Sequence, residues 1–305
     1  MSETEKSVSG MIAEITLSNK VTCTIWHYQK QKFWIYRRRK AMKLGFIGCG
    51  NMAKAMLGGI LKNEICAKED VIATAKSEAS RGNARNTYGI QVTADNIEAA
   101  KSADVLVLAV KPIFYEEVIR EIKDAVDEKK IIISIAPGKT LAWLEEQFGK
   151  KVKLVRCMPN TPALVGEGMT GVCCNEEVSD AEMQDVLKIL ESCGKAEMLP
   201  ERLIDVVVSV SGSSPAYVFM FLEAMADAAV ADGMPRAQAY KFAAQSVLGS
   251  AKLMLETGKH PGELKDMVCS PAGTTIQAVR VLEEKGLRSA VIEAQTACVK
   301  KAKGI

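Results

Sequence analysis

The sequence predicts an α/β fold, a doubly wound sheet followed by an all-helical domain, and three patterns carry that expectation. Short continuous apolar runs such as Val105-Leu106-Val107-Leu108-Ala109-Val110 alternate with helical segments, as parallel strands covered on both faces require. A glycine turn, Gly48-Cys49-Gly50, joins the first such run to the first helix. After about Glu201 no strand pattern stands out. The 305 residues suit about two domains, which we place at 42–202 and 203–305.

Met42 to Gly48 is the first apolar run, Asn51 to Lys62 reads as a helix and Val71 to Ala75 as the next strand. Further strands are expected at Val105 to Val110, Ile131 to Ile135 and Val152 to Met158. Ser179 to Cys193 closes this half as a helix. Ser179 with Glu182 three residues on forms a capping box, and Met183, Val186, Leu187 and Leu190 make one apolar stripe. Beyond it, Leu203 to Asp232, Pro235 to Thr257, Pro261 to Cys269, Thr274 to Lys285 and Leu287 to Lys303 read as helices. Prolines open several of them, and Gly233, Gly258 and Gly286 stand near their ends. The longest carries Ala224, Ala226, Ala228, Ala229 and Ala231, small enough for a neighbouring helix to approach closely.

Residues 1–41 differ from the rest. They hold Trp26, Trp34, Tyr28, Tyr36 and Phe33 and end in Arg37-Arg38-Arg39-Lys40. A signal peptide would put its basic residues first and a transit peptide would avoid acids, yet Glu3, Glu5 and Glu14 lead and the arginines come last. We expect an appended leader, with Met42 as the functional start.

Composition narrows the function classes. At 48% hydrophobic and 25% charged the chain is far from disordered or fibrous sequences. Forty Lys and Arg against 37 Asp and Glu leave +3, too little to argue for nucleic acid or an anionic membrane. No 18-residue apolar run suggests a membrane span. Nine cysteines without a C-x-x-C pair suit a reducing, cytoplasmic setting. Two histidines, His27 and His260, offer little for a metal site or a hydrolase triad, so no metal is expected and a small-molecule partner is.

Gly48-Cys49-Gly50-Asn51-Met52-Ala53 is the G-x-G-x-x-(G/A) fingerprint between a strand and a helix. Gly48 allows the tight turn and Gly50 lets the backbone approach a pyrophosphate. Ala53 keeps the helix close while the N–H groups of Asn51, Met52 and Ala53 face the anion. The plain alternative is a turn that merely joins two elements. Where NAD enzymes place an acid after the second strand, this chain has Thr74 and then Lys76-Ser77. A cation there attracts a 2′-phosphate, which favours NADPH over NADH, although Glu78 stands close enough to oppose it. Ala109-Val110-Lys111-Pro112 ends the fourth strand, aiming Lys111 at the nicotinamide end of the crevice, unless it is a surface lysine before a helix-starting proline.

Two loops in the helical half, Ser211-Gly212-Ser213-Ser214-Pro215-Ala216-Tyr217 and Ser270-Pro271-Ala272-Gly273-Thr274-Thr275, join hydroxyls and glycine to a helix start. Free N–H groups there could bind a carboxylate, or the residues could be N-caps alone.

Five motifs in order resemble those of the pyrroline-5-carboxylate reductase family. They are G-F-I-G-C-G-N-M-A (Gly45 to Ala53), A-V-K-P (Ala109 to Pro112), R-C-M-P-N-T-P (Arg156 to Pro162), S-G-S-S-P-A-Y (Ser211 to Tyr217) and H-P-G-E-L-K-D-M-V-C-S-P-A-G-T-T (His260 to Thr275). The likeness runs from Met42 nearly to the C-terminus. It implies NAD(P)H-dependent reduction of L-1-pyrroline-5-carboxylate to L-proline, in a dimer or an assembly of dimers whose helical interface lines the substrate pocket. It further implies that Thr275 serves the ring nitrogen, that backbone around Gly273 and Thr274 holds the carboxylate with Ser211 and Ser213 nearby, and that Lys111 and Asn96 lie near the nicotinamide and ribose. Hydride transfer to an imine needs no metal and no covalent nucleophile, which suits a chain so short of histidine. A related imine or 3-hydroxyacid dehydrogenase and a dinucleotide-binding module without turnover are the alternatives. The hydroxyacid enzymes would call for a lysine on the long interdomain helix, and Leu203 to Asp232 has none.

Overall fold

The computed structural model describes residues 42–304; the leader expected at 1–41 lies outside them. The sheet half runs β1 (Leu44–Ile47), α1 (Asn51–Lys62), β2 (Val71–Thr74), α2 (Glu78–Tyr88), β3 (Gln91–Thr93), α3 (Asn96–Ser102) and β4 (Val105–Leu108). It continues with α4 (Tyr115–Ile122), β5 (Ile131–Ser134), α5 (Leu141–Phe148), β6 (Lys153–Met158), β7 (Gly168–Cys174), α6 (Asp180–Glu191) and β8 (Gly194–Met198). The strands form one eight-stranded sheet in the order β3-β2-β1-β4-β5-β6-β7-β8, parallel throughout except where β7 runs against β6.

Alternation along the strands divides the core into two faces. Ile47, Ile72, Leu106, Leu108, Ile132 and Leu154 pack beneath α3, α4 and α5 with Ala99, Ile119, Ile122 and Leu144. The intervening Phe46, Val107, Ile133 and Val155 are equally buried on the other side. Each fully buried aliphatic side chain contributes roughly 1.5–3 kcal/mol. Four helices of the sheet half start where side chains accept the first free N–H groups: Ser77 caps α2, Asp95 caps α3, Thr140 caps α5, and the Ser179–Glu182 capping box opens α6. Such caps are worth about 1 kcal/mol apiece. In α6 the buried set is Met183, Val186, Ile189 and Leu190, so Ile189 takes the place expected for Leu187.

Strands β3, β7 and β8 were not legible in the apolar pattern, for a physical reason. Edge and near-edge strands need no continuous apolar run: β3 has three residues, β8 reads Gly-Lys-Ala-Glu-Met, and β7 carries two glycines.

After β8 the described chain is helical. A 3-10 turn (Glu201–Leu203), α7 (Ile204–Val207), a π-helical turn (Val208–Gly212) and α8 (Ser214–Ala231) follow one another. Then come α9 (Arg236–Thr257), α10 (Pro261–Val268), α11 (Thr274–Glu284) and α12 (Leu287–Lys303). Two expectations are corrected here. Ser211 to Tyr217 is no loop: Ser213 N–H donates to the Val208 carbonyl, 2.8 Å, so the backbone widens into a π turn and coils on. The run Glu201–Ala231 is also long and apolar enough, by length and composition, to cross a membrane. Its serines and glycine interrupt an apolar count yet add little polarity.

The two halves are tied by Arg156 on β6. Its side chain is 1% exposed and donates to Glu201, 3.0 Å, and Asp205, 2.7 Å, at the start of the long helical run. Glu201 also accepts the Leu141 N–H at the start of α5, 2.7 Å. In the helical half little else is buried. Ile204, Val208 and Ser209 at its start, Ala226 of α8 and Ala239 and Ala243 of α9 are covered, and no residue of α10, α11 or α12 is.

Candidate active site

Strands β1 to β6 are mutually parallel, so the turns that follow β1, β2, β3, β4 and β6 open on one edge of the sheet. Gly48 leaves β1 at φ +97°, a conformation that favours glycine. A Cβ there would stand 2.9 Å from Val110 Cγ1 and 3.0 Å from the Ala109 carbonyl. Its N–H donates to Thr74 Oγ1, 2.9 Å, while Ala109 N–H donates to the Ile47 carbonyl, 2.9 Å. Thr74, Ala109 and Val110 therefore form the wall on which the glycine turn rests. Gly50 differs: a Cβ would meet nothing within 4 Å. The twelve-residue α1 behind it has no side-chain cap and no acid in its first turn, leaving the N–H groups of Asn51, Met52 and Ala53 and the helix dipole toward an anion. Ala53 is fully buried, as close helix packing requires. These residues fit a dinucleotide pyrophosphate.

After β2, Ser77 accepts from Ser80 N–H, 3.2 Å, and so caps α2, and Lys76 Nζ lies 4.9 Å from the centre of the Phe114 ring. Glu78 is clamped by Arg81, at 2.6 and 3.0 Å, and Arg85, at 3.1 Å, hydrogen bonds that hold its carboxyl below the usual carboxylate range. Arg81 Nη1 also donates to the carbonyls of Ala75 and Lys76, both 2.8 Å. The acid that opposed a 2′-phosphate is thus neutralised from within α2. Arg81, Arg85 and Phe114 were missed in the sequence. The spacing of Glu78, Arg81 and Arg85, three and seven residues apart on one helix face, was the available signal.

Asn96 begins α3 on the same edge, and its Nδ2 donates to Glu121, 2.7 Å. Lys111 is exposed and precedes a 3-10 turn, Pro112–Phe114. Beneath it Tyr115 is buried and donates to the Leu108 carbonyl, 2.6 Å, fixing the turn after β4.

In the helical half, α11 repeats the pattern of α1. Its N-cap is Gly273, where a Cβ would collide with Ser270 Oγ, and it has neither side-chain cap nor acidic residue in the first turn. Gly273 N–H donates to the Ser270 carbonyl, 3.0 Å, and Ala272 holds φ +57°. Thr274 is exposed and Thr275 half-buried at this terminus. Ser211 and Ser213 behave differently. Ser211 Oγ donates to the Val207 carbonyl, 3.3 Å, and Ser213 Oγ meets Cys298 Sγ at 3.2 Å, so neither stands at an open helix end. Within one chain, α9 packs chiefly on α8 and α11 chiefly on α12. Thr275 and the glycine turn accordingly belong to different layers of the molecule. Among the described residues no group of three His, Cys, Asp or Glu could hold a metal ion.

Comparisons with known proteins fall on both halves. The family model described as pyrroline-5-carboxylate reductase dimerisation matches residues 201–305, and one described as NADP oxidoreductase coenzyme F420-dependent matches 43–138. The chain is 53% identical over 259 residues to the pyrroline-5-carboxylate reductase of Escherichia coli K12, covering 85% of this chain and 96% of that one. It is 42% identical over 252 residues to the enzyme of the same name from Methanosarcina acetivorans, covering 83% and 93%. Among solved structures, Plasmodium falciparum pyrroline carboxylate reductase with NADP bound superposes with a TM-score of 0.80 at 34% identity, covering 86% of this chain and 97% of that one. A Coxiella burnetii pyrroline-5-carboxylate reductase gives 0.80 at 37%, covering 87% and 98%.

Proposed function

The chain belongs to the pyrroline-5-carboxylate reductase family, and from that premise we propose how its two halves share the reaction. It is an oxidoreductase that reduces L-1-pyrroline-5-carboxylate to L-proline with NAD(P)H, the last step of proline biosynthesis. We assign 42–202 to the dinucleotide and 203–305 to substrate and dimerisation, a division supported by the last strand ending at Met198.

One observation carries the reading: of the three described helix N-termini that have glycine at the N-cap, no side-chain cap and no acid in the first turn, α1 in the sheet half and α11 in the helical half fall within the family's motifs, whereas α12 does not. The α1 terminus suits a pyrophosphate and the α11 terminus a carboxylate. When bound, the reduced nicotinamide supplies a hydride to the imine carbon. The backbone at Gly273 and Thr274 orients the ring through its carboxylate, and the Thr275 hydroxyl hydrogen-bonds the ring nitrogen as that atom gains electron density and a proton. Lys111 and Asn96 flank the nicotinamide ribose, while Gly48, Gly50, Thr74, Ala109 and Val110 shape the pyrophosphate side. Lys76, Ser77 and the Arg81–Arg85 pair favour a 2′-phosphate, and hence NADPH over NADH.

The apolar side chains left in water, among them Phe219 at 64%, Phe242 at 68% and Leu255 at 85% exposure, support a homodimer or an assembly of dimers built on the helical half. That role also accounts for the apolar run Glu201–Ala231 without a membrane. The eight described cysteines are all unpaired, in keeping with a reducing cytoplasm. No lysine stands where a hydroxyacid dehydrogenase would need one. The deciding experiment is NADPH oxidation by the purified chain. Loss of reduced-nicotinamide absorbance on adding the cyclic imine, with proline formed in equal amount, is the expected result; binding of NADPH without turnover would leave only a nucleotide-binding module.

A further inference from the structure

The R-C-M-P-N-T-P and S-G-S-S-P-A-Y motifs meet at one point that the reaction as described does not use. In a helix the carbonyl of residue 211 accepts from the N–H of residue 215. Here residue 215 is proline, which has no N–H to give. The preceding π turn has already displaced the register, with Ser213 N–H turned back to Val208. The Ser211 carbonyl thus lacks its usual helical donor, and Asn160 supplies one from outside the helix: its Nδ2 lies 3.0 Å from that oxygen. The other end of the amide is also occupied, since Asn160 Oδ1 accepts the Met169 N–H at 2.8 Å. The two partners, a carbonyl and an N–H, fix which way the amide points. Asn160 is only 8% exposed, and Met158 of the same motif lies against Gly212, where a Cβ would stand 2.8 Å from its ε-methyl.

We propose that Asn160 is a positioning residue for the reduction: by replacing the N–H that Pro215 lacks, it pins the π turn Val208–Gly212 to the catalytic edge of the sheet. This rests on the functional reading above. β6 ends on the same edge as the glycine turn, and Asn160 is the second residue beyond it. The pinned turn leads directly into Ser213 and α8, and through the Ser213–Cys298 contact into α12, on which α11, the helix that holds Thr275, packs. Asn160 therefore sets where the substrate half stands over the cofactor half without touching either ligand. π turns persist at such places because their cost is repaid by an outside partner.

The test is a rescue. Asn160→Ala should lower kcat/KM for the imine about tenfold, the scale of one buried hydrogen bond, while the Kd of NADPH changes by less than about twofold. Pro215→Ala restores a backbone N–H opposite the Ser211 carbonyl and alone should stay within about twofold of the parent. The double variant should recover most of the lost kcat/KM, yet keep any loss of Tm caused by the unpaired Met169 N–H. If Asn160→Ala does not accumulate as folded protein, recovery of folded, active enzyme in the double variant is the supporting result. Equal kcat/KM for Asn160→Ala and parent, or no recovery on adding Pro215→Ala, overturns the proposal. A parent without imine-dependent turnover would instead overturn the functional reading, and partial Tm recovery in the double variant, short of the share owed to the Met169 N–H, would still report on the Asn160–Ser211 contact.

Discussion

The sheet half and the helical half solve the burial problem in opposite ways. In the first, both faces of the strands are covered by the chain's own helices, and side chains such as Leu106, Ile119 and Leu154 are fully buried. In the second, α10, α11 and α12 bury no residue, and Phe219, Met220 and Phe242 stand mostly in water. A doubly wound sheet closes its core within one chain, whereas in the dimer proposed above this set of helices would find its core in another copy. The cofactor side should then depend on intramolecular packing and the substrate side on association.

The largest effect should come from breaking association. Phe219→Glu with Phe242→Glu places two charges on the exposed apolar face, and sedimentation should show monomers with turnover abolished while NADPH still binds. Retained turnover in a monomer would mean that one chain completes the site. Next come the two glycines of the cofactor turn, which should fail differently. Gly50→Val projects into open space, so Tm should hold while NADPH affinity falls by about a hundredfold or more through lost phosphate contacts. Gly48→Ala meets Val110 at a positive φ and should lower Tm itself, by roughly 1–3 kcal/mol of stability.

Thr275→Val keeps the side-chain shape but removes the hydroxyl. Turnover should fall by about ten- to a hundredfold, roughly 1–3 kcal/mol, with NADPH affinity unchanged if, as proposed, the dinucleotide is held by the other half. If Thr274→Val lost activity instead, the assignment would be displaced by one residue. The smallest effect is expected at Lys76→Glu, which should weaken NADPH relative to NADH by about tenfold. Equal loss for both cofactors would show that Lys76 does not touch the 2′-phosphate.

The contrast between halves also explains what the sequence could tell. The central strands and α1 were legible because burial on both faces writes itself as continuous apolar residues, and helix α1 matches its expected bounds, Asn51–Lys62. Strands β7 and β8 lack that signature: β8 is an edge strand, which can be polar and still pair, and glycines and a threonine break the apolar run of β7. The glycine turn between β1 and α1 was readable from the glycine spacing taken with the strand before it and the helix after it. The Asn160–Ser211 contact was not, because it joins residues 51 apart and depends on a missing proton donor at Pro215. Likewise Lys76 was readable as a charge, but its neighbours Arg81 and Arg85 became meaningful only once both were seen on Glu78.

Cys49, between the two glycines of the cofactor turn, carries a consequence for oxidative chemistry. Partial burial pushes its thiol pKa up, and Lys54 only partly offsets this. At neutral pH the sulfur is therefore protonated, and the thiolate is the species that attacks peroxides and disulfides. A neutral thiol also adds no negative charge beside a pyrophosphate. If the glycine turn holds the dinucleotide as proposed above, sulfur at this position should react more slowly with oxidants than a low-pKa cysteine in the same place.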